Sequence, residues 1–311
     1  MNDFNYLLQT TTEELKEFMP KFESERKKAI FEIAKKSIYK PQNIEILQCK
    51  SKKLPKKFDN QLSLQIEIIP SVIDYSKNND EVMWAVNFAD PNIFQYYGTD
   101  LFAQDEIQVA EHPFLASIRE MLLTKRFNTN TIDDNGFGSN MIFTNIPRMC
   151  SINISDKIYG VNFKNCDLET ILYSTKTINN SISNIIAMSS LFGFDGLYKA
   201  EQIGWLISNA YSAFVGAKLI SNTKSCSIQT GFWGCGAFGG NKTLMLIVQI
   251  IAAHLSKVEK ISFYIVNKKN LIYANEAVLM AKTLLNNFSS TEDIISELVN
   301  LNFNWCNGDG N

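Results

Sequence analysis

Histidine is nearly absent: His112 and His254 are the only two in 311 residues. An imidazole-built zinc centre or a serine–histidine–aspartate relay has little to draw on, and proton chemistry falls to carboxylates. His254 lies inside the apolar stretch Leu244 to Leu255, the setting of a structural histidine. The six cysteines (Cys49, Cys150, Cys166, Cys226, Cys235, Cys306) include no C-x-x-C pair. That spacing argues for reduced, mostly buried thiols in a cytosol-like compartment, and neither a metal nor a cofactor is expected. No run approaches the ~18 apolar residues of a membrane span, and the N-terminus lacks the basic-then-apolar pattern of a signal peptide. At 45% hydrophobic and 20% charged, the composition is that of an ordinary globular protein.

Charge of one sign is concentrated rather than lacking. Residues 16 to 57 hold thirteen Lys/Arg against five Glu, a local +8 within a chain of net charge −2. Such an arm suits an acidic protein partner or an acidic membrane surface, or is simply a solvated helical face; nothing in it specifies a nucleic acid.

Thr12-Glu13-Glu14-Leu15 reads as a capped helix start, and a second helix to about Tyr39 has Ile30, Ile33, Ala34 and Ile38 as its apolar face. Lys50 to Lys57 reads as a linker. Short strands and helices then alternate, with strands at 62–69, 82–89, 158–163, 184–189, 226–229 and 261–266. Helices are expected at 104–123, 198–219, 242–255, 276–286 and 292–299. Alternation of this kind predicts an α/β layer fold.

Glycine is sparse, yet five of its fifteen occurrences fall in Gly231-Phe232-Trp233-Gly234-Cys235-Gly236-Ala237-Phe238-Gly239-Gly240-Asn241, between a strand and a helix. Glycines let backbone N–H groups approach an anion without an intervening Cβ, and the following helix N-terminus adds free amides and partial positive charge. Gly234-x-Gly236-x-x-Gly239 formally matches the dinucleotide fingerprint, with Glu259 twenty residues on. A ribose-binding acid belongs at the carboxyl end of the next strand, however, and Glu259 precedes that strand. A nicotinamide oxidoreductase is thus a lesser alternative.

The full string resembles the diphosphate and ribose loop of the poly(ADP-ribose) glycohydrolase branch of the macrodomain superfamily. Val86-Asn87-Phe88-Ala89-Asp90 and Gln104-Asp105-Glu106-Ile107 are similar to that family's V-D-F-A-N strand end and Q-E-E-I catalytic motif. Ile185 to Met188 and Asn209 to Phe214 resemble the strand and helix that precede the loop. The resemblance spans residues 80 to 265 and implies a three-layer α/β/α macrodomain with a mixed sheet. With the basic helical extension, the expected division is 1–58 and 59–311.

The resemblance also implies roles. Glu106 would be the acid–base residue, with Asp105 holding the ribose, and Asp100 adds a third carboxylate. Asn87, Asp90, Gln104, Gly231, Trp233, Gly234, Cys235, Gly236, Ala237, Phe238 and Gly239 would bind ADP-ribose, Trp233 more as core support. The family's triple glycine falls on Phe94-Gln95-Tyr96, which adds bulk beside the reacting ribose and favours mono-ADP-ribosyl substrates over polymer. Its extra acids suit a guanidinium leaving group, as from ADP-ribosylated arginine. The implied activity is ADP-ribosyl hydrolysis from modified proteins; the alternative is a reader that binds ADP-ribose without cleaving it. The chain is similar to macrodomain hydrolases that some intracellular bacteria deliver into host cells, which places it in a cytoplasm or a host cytosol.

Overall fold

The computed structural model describes residues 4–61, 63–75, 80–306 and 308. Among these, eight strands form one mixed sheet: β1 (Phe4–Thr11), β2 (Asn43–Cys49), β3 (Gln65–Ile69), β4 (Glu81–Phe88), β5 (Met141–Ile152), β6 (Thr175–Met188), β7 (Ser225–Thr230) and β8 (Lys260–Tyr264), in the order β1-β2-β5-β6-β4-β7-β8-β3. The β6-β4-β7-β8-β3 part is parallel, and β1, β2 and β5 close it with antiparallel pairs. Leu62, where the third strand was expected to start, lies outside the described residues.

Period-two alternation divides each central strand between two cores. Trp84, Val86, Ile186 and Met188 face one hydrophobic cluster, built with α6 (Ala200–Ser221), α7 (Lys242–Leu255) and α8 (Leu271–Asn287). Ala85, Ile185, Ala187, Met141 and Phe143 face the other, built with α2 (Glu25–Ala34), α3 (Gln104–Glu111) and α4 (Phe114–Thr124). The three-layer α/β/α expectation is met. Helix α7 is buried nearly all round because it packs against both α6 and α8.

Several local expectations are corrected. The helix expected over 104–123 is two, α3 and α4, broken at His112 and Pro113, since proline cannot donate into the helical ladder. The segment 158–163 is not a strand; Gly160 sits at φ 63° and starts a short 3-10 turn, Gly160–Asn165. Strand β5 was not anticipated: it carries Pro147, and its register shifts around Asn145, at φ 55°, and again after Arg148. Its partner β6 runs back to Thr175 through residues too polar and exposed to read as a strand.

The extension contains its helices, α1 (Thr12–Leu15) and α2, but it is more than helical. β1 and β2 add to the main sheet, with β2 paired to β5 through Ile46↔Phe143. Ile44 and Ile46 are fully buried in the same cluster as α3 and α4, so the sheet shows no boundary at residue 58. The arm's charge is partly neutralised within itself, by Lys16–Glu13 at 2.8 Å and Lys35–Glu32 at 2.8 Å.

Replacement of Ile46 by Ala is expected to cost about 2–5 kcal/mol, the range for truncating a buried aliphatic. It would appear as a lower denaturation midpoint of the whole chain. An unchanged midpoint would mean that residues 4–49 do not share the core.

Candidate functional site

Parallel strands β6, β4 and β7 end side by side, and the chain leaving each of them converges on one edge of the sheet. In open α/β sheets this carboxyl edge is where ligands bind. Three segments meet there: residues 89–103 after β4, 189–199 after β6, and the glycine loop after β7.

Helix α3 is held at this edge by its first residue. The Gln104 amide accepts from the Phe88 N–H at 2.7 Å and donates to the Val86 carbonyl at 3.1 Å, tying the helix start to the end of β4. Ala103 provides no capping oxygen, so the Glu106 carboxylate turns back and accepts from the Ala103 N–H at 2.9 Å. Asp105 accepts from the Asn87 amide at 2.9 Å. Both acids are buried, 6% and 3% exposed, at the positive end of a helix.

Burial is the largest influence on both carboxyls and raises both above their ordinary range; the negative charge of Glu106 raises Asp105 further. The cation that acts on Glu106 is Lys27 of α2, 2% exposed, whose charge draws Glu106 back down. Burial in turn brings the Lys27 amine to about 8. Asp90, half-buried just beyond β4, is raised by burial and accepts from the Asn92 N–H at 3.0 Å.

The glycine loop is shaped from below by Trp233, fully buried, whose indole donates to the Met188 carbonyl at 3.0 Å. Gly234 (φ 73°) and Gly239 (φ 70°) take the left-handed turns that fold the loop, closed by Gly240 N–H to Gly234 O at 2.8 Å. A Cβ on Gly234 would lie 2.5 Å from Ser190 Oγ, so the loop approaches the β6 exit this closely only because a glycine stands here. Gly231 stands as close to Tyr264 O, at 3.0 Å from a built Cβ. The N–H groups of Gly236, Ala237 and Phe238 have no acceptor among the described residues. Cys235 is half-buried, Ala237 is exposed, and the Phe238 ring meets Phe192 at 5.1 Å.

Unpaired buried polar atoms gather at the same edge. Asn87 Oδ1, Ser189 Oγ and Ser190 Oγ are buried without a hydrogen-bond partner among the described residues. Native interiors seldom leave such groups orphaned unless a ligand or water completes them. A phosphorylated sugar fits: serine hydroxyls and free amides for its oxygens, and carboxylates for its hydroxyls.

Asn87, Gln104, Asp105, Glu106 and the loop residues are thus brought to one edge, with Asp90 beside them. Asp100 is set apart: half-exposed, it faces Arg26 at 3.9 Å. Glu259, the candidate ribose acid of a dinucleotide site, accepts from the Cys226 N–H at 2.8 Å, at the end of β7 opposite the glycine loop. The oxidoreductase reading loses its ribose ligand there. Phe263 is fully buried core, Lys242 donates to Asn270 Oδ1 at 3.3 Å, and Arg119 is bound to Asn92 and the Ile93 carbonyl. His112 is buried between the Gln108 carbonyl and Ser183 Oγ, and burial lowers it to about 3, so it stays neutral. A cavity of about 320 Å³ bordered by Glu81, Val82 and Gln229 lies at the amino end of β4 and is not lined by Asn87, Asp90, Gln104, Asp105, Glu106 or the glycine loop.

Sequence reading passed over Ser189 and Ser190, which are signalled only by their place directly after an apolar strand end. It also passed over Lys27, one of a run of basic residues. Its spacing to Ile30 and Ala34, which share its buried face, is the signal that could have found it.

A family model described as poly(ADP-ribose) glycohydrolase, macro domain fold, matches residues 59–273. Among solved structures, the chain is similar to the poly(ADP-ribose) glycohydrolase of Thermomonospora curvata, at 12% identity and TM-score 0.49, covering 82% of this chain and 98% of that one. It is also similar to the Deinococcus radiodurans poly(ADP-ribose) glycohydrolase in complex with ADP-ribose, at 10% identity and TM-score 0.43, covering 90% of this chain and 97% of that one. With the family model spanning more than half of it, the chain belongs to the poly(ADP-ribose) glycohydrolase family, of macrodomain fold.

Proposed function

We propose that this protein hydrolyses the glycosidic bond at ribose C1 and so removes ADP-ribose, as a mono-ADP-ribosyl group, from modified proteins. The observation that carries this reading is the buried pair Asp105 and Glu106 at the helix end tied to β4, beside orphaned polar atoms and free loop amides. Burial raises the Glu106 carboxyl, the direction that favours the protonated form a general acid needs. Glu106 donates its proton to the leaving atom as the C1 bond breaks. Water then adds to the oxocarbenium-like carbon and returns a proton to Glu106, so one carboxyl serves both steps. Asp105, oriented by Asn87, holds the ribose.

Two features support the finer reading. Phe94 and Tyr96 stand where the family has consecutive glycines, and the fully buried Phe94 is held at φ 55° against Phe143, a rigid wall unsuited to a polymer. Asp90 and Asp105 offer acceptors to a departing guanidinium, which favours an arginine linkage. One observation favours a reader instead: Glu106 Oε2 is already engaged by the Ala103 N–H.

Release of labelled ADP-ribose from arginine-, acid- and serine-modified proteins separates the two. Turnover is expected on the arginine linkage, and Glu106→Gln should reduce it about 10²–10⁴-fold, the usual weight of a general acid, with ADP-ribose binding retained. Tight binding without release from any linkage would leave only the reader.

The buried acids also predict a pH dependence of stability. Their carboxyls are raised in the folded state, so the folded chain holds protons that the unfolded chain releases. Their contribution is fully present at low pH and is lost as pH rises. The melting temperature should therefore fall from about pH 5 towards pH 8, and Asp105→Asn should flatten that fall and melt higher than wild type at the upper end. Parallel profiles for the two proteins would show Asp105 to be ionised in the folded state.

A further inference from the structure

The residues that replace the family's glycines are not free. Residues 96–100 are docked on residues 21–27, which lie outside the family-matched region. Tyr97 Oη accepts from the Lys21 N–H at 2.7 Å, and the Gly98 carbonyl accepts from the N–H groups of Glu23 and Ser24, both at 2.9 Å. Gly98 sits so close that a Cβ would fall 2.4 Å from the Lys21 carbonyl oxygen. The docking ends at Lys27, whose ammonium passes over the Phe102 ring at 5.7 Å and donates to the Tyr96 carbonyl at 2.9 Å.

We infer that Lys27 is a positioning residue of the catalytic site: from α2 it holds the 96–100 loop by its carbonyl and presents a buried positive charge to Glu106 and Asp105. A lysine that only neutralised surface acids would stay in water, since burying an ammonium is costly unless its field is used. Lys27 is buried with one neutral acceptor and no carboxylate within ion-pair distance among the described residues. Its charge interacts with Glu106 first, then Asp105, then Asp100. The other charges around it are already engaged. Asp100 faces Arg26, Glu120 of α4 is taken by Lys21 at 2.6 Å and Tyr97 at 2.9 Å, and Arg119 acts first on Glu120 and Tyr97 and only then on Asp105 and Asp90. Lys27, supplied by the N-terminal segment, is thus the cation that acts on both members of the pair. Its effect is to offset the burial that raises both carboxyls, acting on Glu106 before Asp105.

The consequence for turnover rests on the hydrolase reading above; the electrostatic coupling does not. The test is an NMR titration of the full chain with labelled lysine, the Lys27 signal being assigned by its disappearance in Lys27→Arg. That signal should titrate near pH 8, well below the ordinary lysine range, and Glu106→Gln should move it lower still, because a neighbouring negative charge has been removed. The Glu106→Gln variant keeps the shape of the side chain and an oxygen for the Ala103 N–H, and is expected to fold. In the release assay, Lys27→Met should move the acidic limb of the kcat/KM profile to higher pH by about one pH unit, and Lys27→Arg should restore it. A Lys27 signal that titrates with the other lysines or ignores Glu106→Gln, or a folded Lys27→Met with an unmoved profile, would overturn the assignment. If wild type releases nothing, the hydrolase reading falls, and the titration alone decides the role of Lys27.

Discussion

One side-chain amide sets the geometry on which the site depends. Gln104 accepts from Phe88 N–H and donates to Val86 O, so the first turn of α3 cannot drift from the carboxyl end of β4. Because Asp105 and Glu106 are the next two residues, that single clasp fixes both carboxylates against the sheet edge. It also brings Asn87 under Asp105, where its amide orients the acid. A helix start without a capping side chain would otherwise fray; here Glu106 completes it, so the local folding of α3 fixes that carboxylate.

The rest of the molecule supplies what that edge requires. Alternating side chains on β4 and β6 bury one helical layer on each side, which leaves the strand ends as the place where backbone and polar side chains meet unpaired. The glycine loop closes over those ends because Trp233 pins it from beneath and Gly234 lets it touch Ser190. Free amides at Gly236 to Phe238 follow from the loop's turns rather than from any side chain, as in other anion cradles.

Such a site opposes stability. Two acids and a lysine are taken out of water, and three of the five buried side-chain atoms without a partner among the described residues lie at this edge. Each is unfavourable for folding by itself. The extensive apolar core on both faces of the sheet, including Ile44 and Ile46 from the N-terminal segment, offsets them. Polar imbalance concentrated at one edge of a well-packed domain is the expected mark of a functional site.

Much of this was legible in the chain. The apolar runs of β4, β7 and α7, the glycine string between strand and helix, and the acids opening α3 are local patterns, and local patterns survive translation into structure because period and turn chemistry act over a few residues. β5, interrupted by Pro147 and a register shift, and the polar half of β6 were illegible because pairing with a distant strand, not propensity, makes them strands. The sequence by itself determined the layer class, the loop and the order of the candidate residues. Only the tertiary structure decided that the N-terminal segment belongs to the sheet, that Asp100 stands aside with Arg26, and that Lys27 is buried beside Glu106 rather than solvated among its basic neighbours. The physical reason is that burial and field depend on what packs around a residue from far along the chain, which no local spacing encodes.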